Sequence, residues 1–156
     1  MIGWTTKDVD IVALRCKGKL VSPAPMPGPL VQAAKEVAED LGLDRNWLNN
    51  GPSRGQGGLF QMGLPLGFAD RLHSQTYADR LTVHFADRFD QIHFKLYAAA
   101  DHGGYHIDDL HALSPSPAEL DVAARWCMTH DVSEGFKWVP KRLLQELGYG
   151  CVADRL

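Results

Sequence analysis

Cysteines are scarce in this 156-residue chain, and long apolar runs are absent. The three cysteines lie far apart at Cys16, Cys127 and Cys151, and none belongs to a Cys-x-x-Cys pair. An odd, sparse set excludes a disulfide scaffold and is typical of a reducing compartment, so we expect a cytoplasmic protein. No apolar run approaches the roughly 20 residues that cross a bilayer, so we expect no membrane partner.

An excess of positive charge is also lacking. The formal net charge is −3, which excludes a grip on nucleic acid by the whole domain and leaves only a local basic groove. The 45% apolar and 22% charged content are those of an ordinary globular protein. The length fits one domain over residues 1–156.

The first half of the chain carries strand signals. β-Branched and apolar residues predict a strand over 9–14, and the turn after it allows a hairpin with a short strand at 20–21. Alternating prolines over 22–29 predict an extended linker. Apolar spacing then predicts a helix over 30–41 that ends at Gly42.

The second half reads as helical. One more strand is predicted at 81–85, followed by helices over 89–100, 107–113, 116–128 and 140–147. Ser116 and Glu119 form the sequence pattern of a capping box. We therefore predict an α+β fold, with a small mixed sheet within residues 1–86 and a helical part over 87–156.

Asp8 and Asp10 are the sharpest chemical signal. Side chains alternate along a strand, so these two carboxylates share one face. Paired carboxylates bind hard cations, which nucleotidyl transfer needs at its phosphate oxygens. The alternative is a solvated strand end with two unrelated acids.

Four segments, in order, resemble the nucleotidyltransferase superfamily in its minimal bacterial branch, the AbiEii-toxin-like families. The resemblance covers roughly residues 3–115, and its order and spacing are more specific than any one piece. The segments are Thr5–Leu14, which contains the Asp pair; Asp44–Gly51, with its Trp-Leu-Asn-Asn-Gly; Leu81–Phe85 with Phe89–Ala100; and His106–Leu113.

The resemblance implies a role for each matching residue. Asp8 and Asp10 would hold Mg²⁺ or Mn²⁺ and, through it, the phosphates of an NTP. Lys95 would reach the phosphates as a point charge. Asp109 would hold Lys95 in place or help to bind the nucleotide. The alternative for Lys95 is a side chain that carries its ammonium group from a buried helix to solvent.

Arg54 is a separate candidate for phosphate binding, because it lies in a glycine-rich loop over 49–58. A basic side chain in such a loop can contact a phosphate or an RNA end, and a solvated charge is the alternative.

The chain also departs from the family pattern. The family places a strand, a helix and a Gly-Gly or Gly-Ser pair before its Asp pair, whereas seven residues precede Asp8. We therefore expect an exposed sheet edge and, because exposed edges pair, a homodimer. The expected third carboxylate is missing from 81–85, and Asp79, Asp87 or Asp90 could replace it.

The resemblance implies transfer of NMP from NTP to RNA, a protein or a small molecule, in a toxin or defence component with a possible antitoxin partner. A non-catalytic relative that acts as a binding protein is the alternative. A third hypothesis is a zinc site in the histidine-rich segment 102–111.

Overall fold

A computed structural model describes residues 7–130 and 133–156. The chain divides after Leu64 into two compact units, which are treated separately below.

The first unit combines two strand pairs with one long helix. Strand β1 pairs with β4 in parallel, and β2 with β3 in antiparallel orientation. A 3-10 turn at Gly51–Ser53 follows β4. The elements are β1 (Val9–Asp10), β2 (Leu14–Cys16), β3 (Lys19–Val21), α1 (Gly28–Leu41), β4 (Leu48–Asn49) and α2 (Leu59–Met62).

The predicted hairpin is confirmed, but the long first strand is not. Lys17 and Gly18 both adopt positive φ, at 48° and 80°, which matches the tight turns that join antiparallel strands. The strand predicted over 9–14 is interrupted, because β1 ends at Asp10 and β2 begins at Leu14.

Helix α1 ends where its sequence predicts, but it begins at Gly28, two residues before the predicted start. Pro29 lies in its first turn, where the missing N–H costs no hydrogen bond. Gly42 ends it in the left-handed conformation, with φ 65°. Fewer apolar residues of α1 are buried than predicted, since Ala34 and Ala38 are buried while Leu41 is 68% exposed.

The second unit is a hairpin followed by helices around one core. Its elements are β5 (His73–Tyr77), β6 (Leu81–Phe85), α3 (Arg88–His102), α4 (Tyr105–Ala112), α5 (Pro117–His130), α6 (Glu134–Glu146) and α7 (Gly150–Ala153). A 3-10 turn spans Phe68–Asp70. The core draws apolar residues from all five helices, including Ile92, Leu96, Leu110, Leu120, Leu144 and Val152.

The starts of α5 and α6 show how far local capping signals in the sequence predict the structure. At α5 the capping box is made as predicted, since Glu119 N donates to Ser116 Oγ and Ser116 N to a Glu119 carboxylate oxygen. The last predicted helix begins earlier than expected. Ser133 caps α6 by accepting from Phe136 N, and Pro140 lies inside the helix rather than at its start.

The α+β class is confirmed, whereas the strands are arranged differently from the single mixed sheet that we expected. Within the described residues they form three separate two-stranded sheets. Strand β5 is an addition to the predicted set, and it pairs with the predicted β6 from His73↔Phe85 to Tyr77↔Leu81. No helix among the described residues is both long and apolar enough to cross a membrane.

Candidate functional site

Asp8 and Asp10 lie beside a second segment of the family resemblance. Asp10 is in β1 and Asp8 immediately precedes it, and both residues are exposed. Strand β1 pairs with β4 so that Asp10 lies opposite Asn49. The backbone N–H of Val9 donates to Trp47 O, which fixes the register. The first unit therefore places the Asp pair next to the Trp-Leu-Asn segment.

The Asp pair offers a donor set of the kind that Mg²⁺ accepts. This ion is often held by one or two carboxylates, with water and substrate phosphates completing its octahedron. Asp8 and Asp10 fit that requirement as two oxygen donors. The described residues contain no group of three or more side chains suited to hold a metal alone.

The three candidates for a third carboxylate all lie in the second unit and have local structural roles. Asp79 adopts positive φ in the turn between β5 and β6. Asp87 caps α3, because its Oδ1 accepts from Phe89 N at 2.8 Å. That bond, more than its contact with His73, lowers the pKa of Asp87. Asp90 is fully buried.

Asp90 forms a forked ion pair with Arg71. Arg71 Nε donates to Asp90 Oδ2 at 3.0 Å, and Nη2 donates to Oδ1 at 2.5 Å. This hydrogen bonding raises the pKa of Arg71. Both Asp90 oxygens therefore already accept from a cation, which assigns this carboxylate to the interior of the second unit.

Lys95 and Asp109 meet across two helices of the second unit. Lys95 Nζ, on α3, donates to Asp109 Oδ2, on α4, at 2.6 Å. Both side chains are about one-third exposed, at 34% and 35%. The ammonium group thus reaches the surface from a helix whose other side is buried, and a carboxylate holds it there.

The loop after β4 is built around Asn50, which is 4% exposed. Its Nδ2 donates to Pro23 O at 2.8 Å, and its Oδ1 accepts from Arg54 Nε at 2.7 Å. Ser53 is also buried, and its Oγ donates to Val12 O at 2.7 Å. These bonds order the glycine-rich loop and hold the guanidinium of Arg54.

Arg54 also lines a groove of about 800 Å³ in the first unit. Lys35 from α1 and Arg45 from the segment before β4 line the same groove, although no sequence motif singles out either of them. No carboxylate is among its lining residues. The apolar side of the groove comes from Pro25, Met26, Val31, Ala34 and Leu48.

The histidines of the second unit have separate surroundings. His93 is buried, and its Nδ1 donates to Phe89 O at 2.8 Å. Burial lowers the pKa of His93, which favours the neutral ring. The rings of His102 and His106 have centroids 6.4 Å apart. The zinc hypothesis gains no support from the described residues, which contain no metal-binding group of three.

Comparison of the chain with protein-family models, with curated proteins and with solved structures finds no match.

Proposed function

We propose that this protein is a metal-dependent nucleotidyltransferase-like enzyme. It would transfer NMP from an NTP to RNA, a protein hydroxyl or a small-molecule acceptor. The observation that supports this proposal is the parallel pairing of β1 with β4, which sets the Asp pair beside the Trp47–Gly51 segment. Two segments of the resemblance that are well separated in the sequence are neighbours in the first unit.

Each candidate residue has a chemical role in this proposal. Asp8 and Asp10 would hold Mg²⁺ or Mn²⁺, which supplies charge neutralisation at the phosphate oxygens. The acceptor's hydroxyl oxygen would form a bond to the α-phosphorus and give its proton to solvent water, while the bond from that phosphorus to the bridging oxygen breaks and pyrophosphate leaves. The resemblance assigns Lys95 a role as a positive charge for the phosphates, with Asp109 orienting its ammonium group. Arg54 would contact a phosphate of the nucleotide or of the acceptor.

The resemblance also implies a cellular role for the proposed enzyme. The AbiEii-like families suggest a toxin or defence component, which would act on cytoplasmic substrates and have an antitoxin as its partner. A homodimer is part of the same proposal.

A non-catalytic relative is the second candidate. The observation that favours it is the small number of carboxylates near the Asp pair, since the described residues hold no metal-binding group of three. Such a protein would keep the fold and bind a nucleotide or a macromolecular partner without transfer.

The decisive experiment measures whether the phosphate label of an NTP is transferred to an acceptor. Protein is incubated with Mg²⁺ or Mn²⁺, total RNA and an NTP labelled on the α-phosphate, beside a parallel reaction with label on the γ-phosphate. We expect only the α-label to enter the acceptor, because the γ-phosphate leaves in pyrophosphate.

Two double variants distinguish the loss of the proposed metal ligands from the loss of negative charge alone. Asp8→Asn with Asp10→Asn should abolish the transfer, whereas Glu39→Gln with Asp40→Asn removes the same charge from exposed positions of α1 and should leave it intact. Lys95→Met should lower the rate while the protein stays folded. Equal labelling by the wild type and the Asp variant would refute the mechanism. Nucleotide binding without transfer would favour the non-catalytic candidate.

A further inference from the structure

The groove in the first unit combines three cations with an apolar side. We propose that this groove binds the phosphate groups of a phosphorylated small molecule. It lies between the extended segment 24–26, helix α1 and the segment 45–55. Its volume of about 800 Å³ is within the range of small-molecule sites.

Charge is the first argument. Lys35, Arg45 and Arg54 line the groove, and no carboxylate is among the lining residues. Lys35 and Arg45 are exposed, and neither forms an ion pair within the described part of the chain. Like charges around a concave surface raise the local positive potential, which a polyanionic ligand relieves.

Pre-organisation is the second argument. The buried Asn50 accepts from Arg54 Nε and donates to Pro23 O, so it ties the guanidinium to the backbone. The two terminal nitrogens of Arg54 donate to none of the described residues. They are suited to a forked contact with phosphate oxygens, which loses less entropy because the side chain is already held.

The apolar lining of the groove indicates which class of ligand it binds. Met26, Val31 and Leu48 offer aliphatic surface, whereas no aromatic side chain is among the lining residues. Single-stranded nucleic acids are usually held by bases stacked on aromatic rings. The lining therefore favours recognition of phosphate groups on a small molecule over recognition of bases.

This inference extends the role proposed above for Arg54, but it concerns binding alone. Asp8 and Asp10 are not among the lining residues. Binding at the groove therefore requires neither a metal ion nor NMP transfer, and the two proposals can fail separately.

Calorimetric titration tests the proposal on the full chain in the presence of EDTA. The probes are inorganic triphosphate, ATP, adenosine and a short unstructured RNA. Triphosphate and ATP should bind with similar affinity that falls with added salt, whereas adenosine should not bind. The Asp8→Asn/Asp10→Asn variant should still bind triphosphate under these conditions.

Matched variants locate the site. Lys35→Gln with Arg45→Gln should weaken triphosphate binding by about tenfold or more, because two charge-assisted contacts are lost. Arg15→Gln with Lys19→Gln removes the same charge from the β2–β3 hairpin of the same unit and should leave the affinity unchanged.

Several results would overturn the proposal. They are the absence of triphosphate binding, equal weakening by both double variants, binding of adenosine as tight as that of ATP, and RNA binding far tighter than triphosphate binding. If no transfer is detected but the Lys35/Arg45 effect is present, the nucleotidyltransferase proposal fails and the groove proposal stands.

Discussion

At the scale of single residues, Asp90 has a neighbour in space that its sequence position does not suggest. It is fully buried on α3, and Arg71, which pairs with it, lies 19 residues earlier in the chain. Burying a charge is costly unless a partner compensates it. The pair therefore serves the interior of the second unit, although Asp90 was a candidate metal ligand in the sequence.

Replacing Asp90 should leave Arg71 without its carboxylate partner. We expect Asp90→Ala to lower the free energy of unfolding by about 1–3 kcal/mol, because the partly exposed Arg71 loses two charge-assisted hydrogen bonds. Chemical denaturation measures the change. Asp121→Asn breaks an exposed pair with Arg125 on α5 and is the matched control, for which we expect a much smaller loss. Equal losses in the two variants would contradict this account.

The basic groove shows why part of the site was not predictable from the sequence. Arg54 was selected because it follows asparagine and glycine residues in an obvious loop. In the sequence, Lys35 is one of several charged residues on the helix predicted over 30–41, and Arg45 lies unremarked in the Asp44–Gly51 segment. Their common position depends on how α1 packs against the segment before β4, which local patterns do not contain.

At the scale of elements, the start of α5 joins two helices. Glu119 accepts from Ser116 N at 2.8 Å within the capping box, and it also accepts from Arg88 Nη1, on α3, at 2.5 Å. The Arg88 bond, followed by the Ser116 N–H, lowers the pKa of Glu119 from 4.5 to about 2. The carboxylate therefore keeps its charge in the folded protein at a pH where the unfolded chain would protonate it.

This shift predicts an acid-dependent loss of stability. The contribution of Glu119 is complete above its unfolded pKa and is lost as the pH falls from about 5 towards about 2. Glu119→Gln should thus be less stable than the wild type at neutral pH, with a difference that shrinks over this interval. Urea denaturation at several pH values measures it. A difference that stays constant down to pH 2 would refute the link.

The glycine-rich loop makes a second prediction at this scale. Gly58 precedes α2, and a Cβ atom there would lie 2.5 Å from the carbonyl carbon of Ser53. Gly58→Ala should therefore destabilise the first unit by about 1–3 kcal/mol, since backbone must move. Gly57→Ala is the control, because its Cβ would meet nothing within 4 Å. Thermal melts of both variants test the prediction, and equal melting temperatures would contradict it.

Element prediction succeeded where local signals were strong. Gly42 ends α1, the capping box starts α5, and the alternating Leu81–Phe85 forms β6 with the predicted bounds. Strand β5 was missed because the polar, exposed residues of His73–Tyr77 show no apolar alternation. The early start of α6 was missed because Pro140 is an ordinary helix-start signal, whereas Ser133 supplies the actual cap.

At the scale of the whole molecule, unpaired strand edges are the common feature of the β structure. Each described strand has one partner, so every sheet leaves two edges. Val9 in β1 is 43% exposed, and Leu81 and Phe85 in β6 are 51% and 49% exposed. Exposed strands with apolar residues tend to pair with another chain.

We therefore predict a homodimer in solution. Light scattering coupled to size-exclusion chromatography should give a mass near twice the 17.3 kDa of the chain, falling towards that of the monomer on dilution. Leu81→Lys places a charge on the exposed β6 edge and should weaken a dimer that uses this edge, whereas Val122→Lys, at an exposed position of α5, is the control. A monomer at every concentration would contradict the prediction.

The division of the chain after Leu64 also places two of the four tryptophans in different units. Trp47 lies in the first unit, where its Nε1 donates to Ala34 O on α1 at 2.9 Å. Trp126 lies in the second unit, in contact with the rings of His93 and His130. In a Trp4→Phe/Trp138→Phe background, Trp126→Phe leaves Trp47 as the remaining tryptophan and Trp47→Phe leaves Trp126. Fluorescence of these two variants would follow the unfolding of each unit separately.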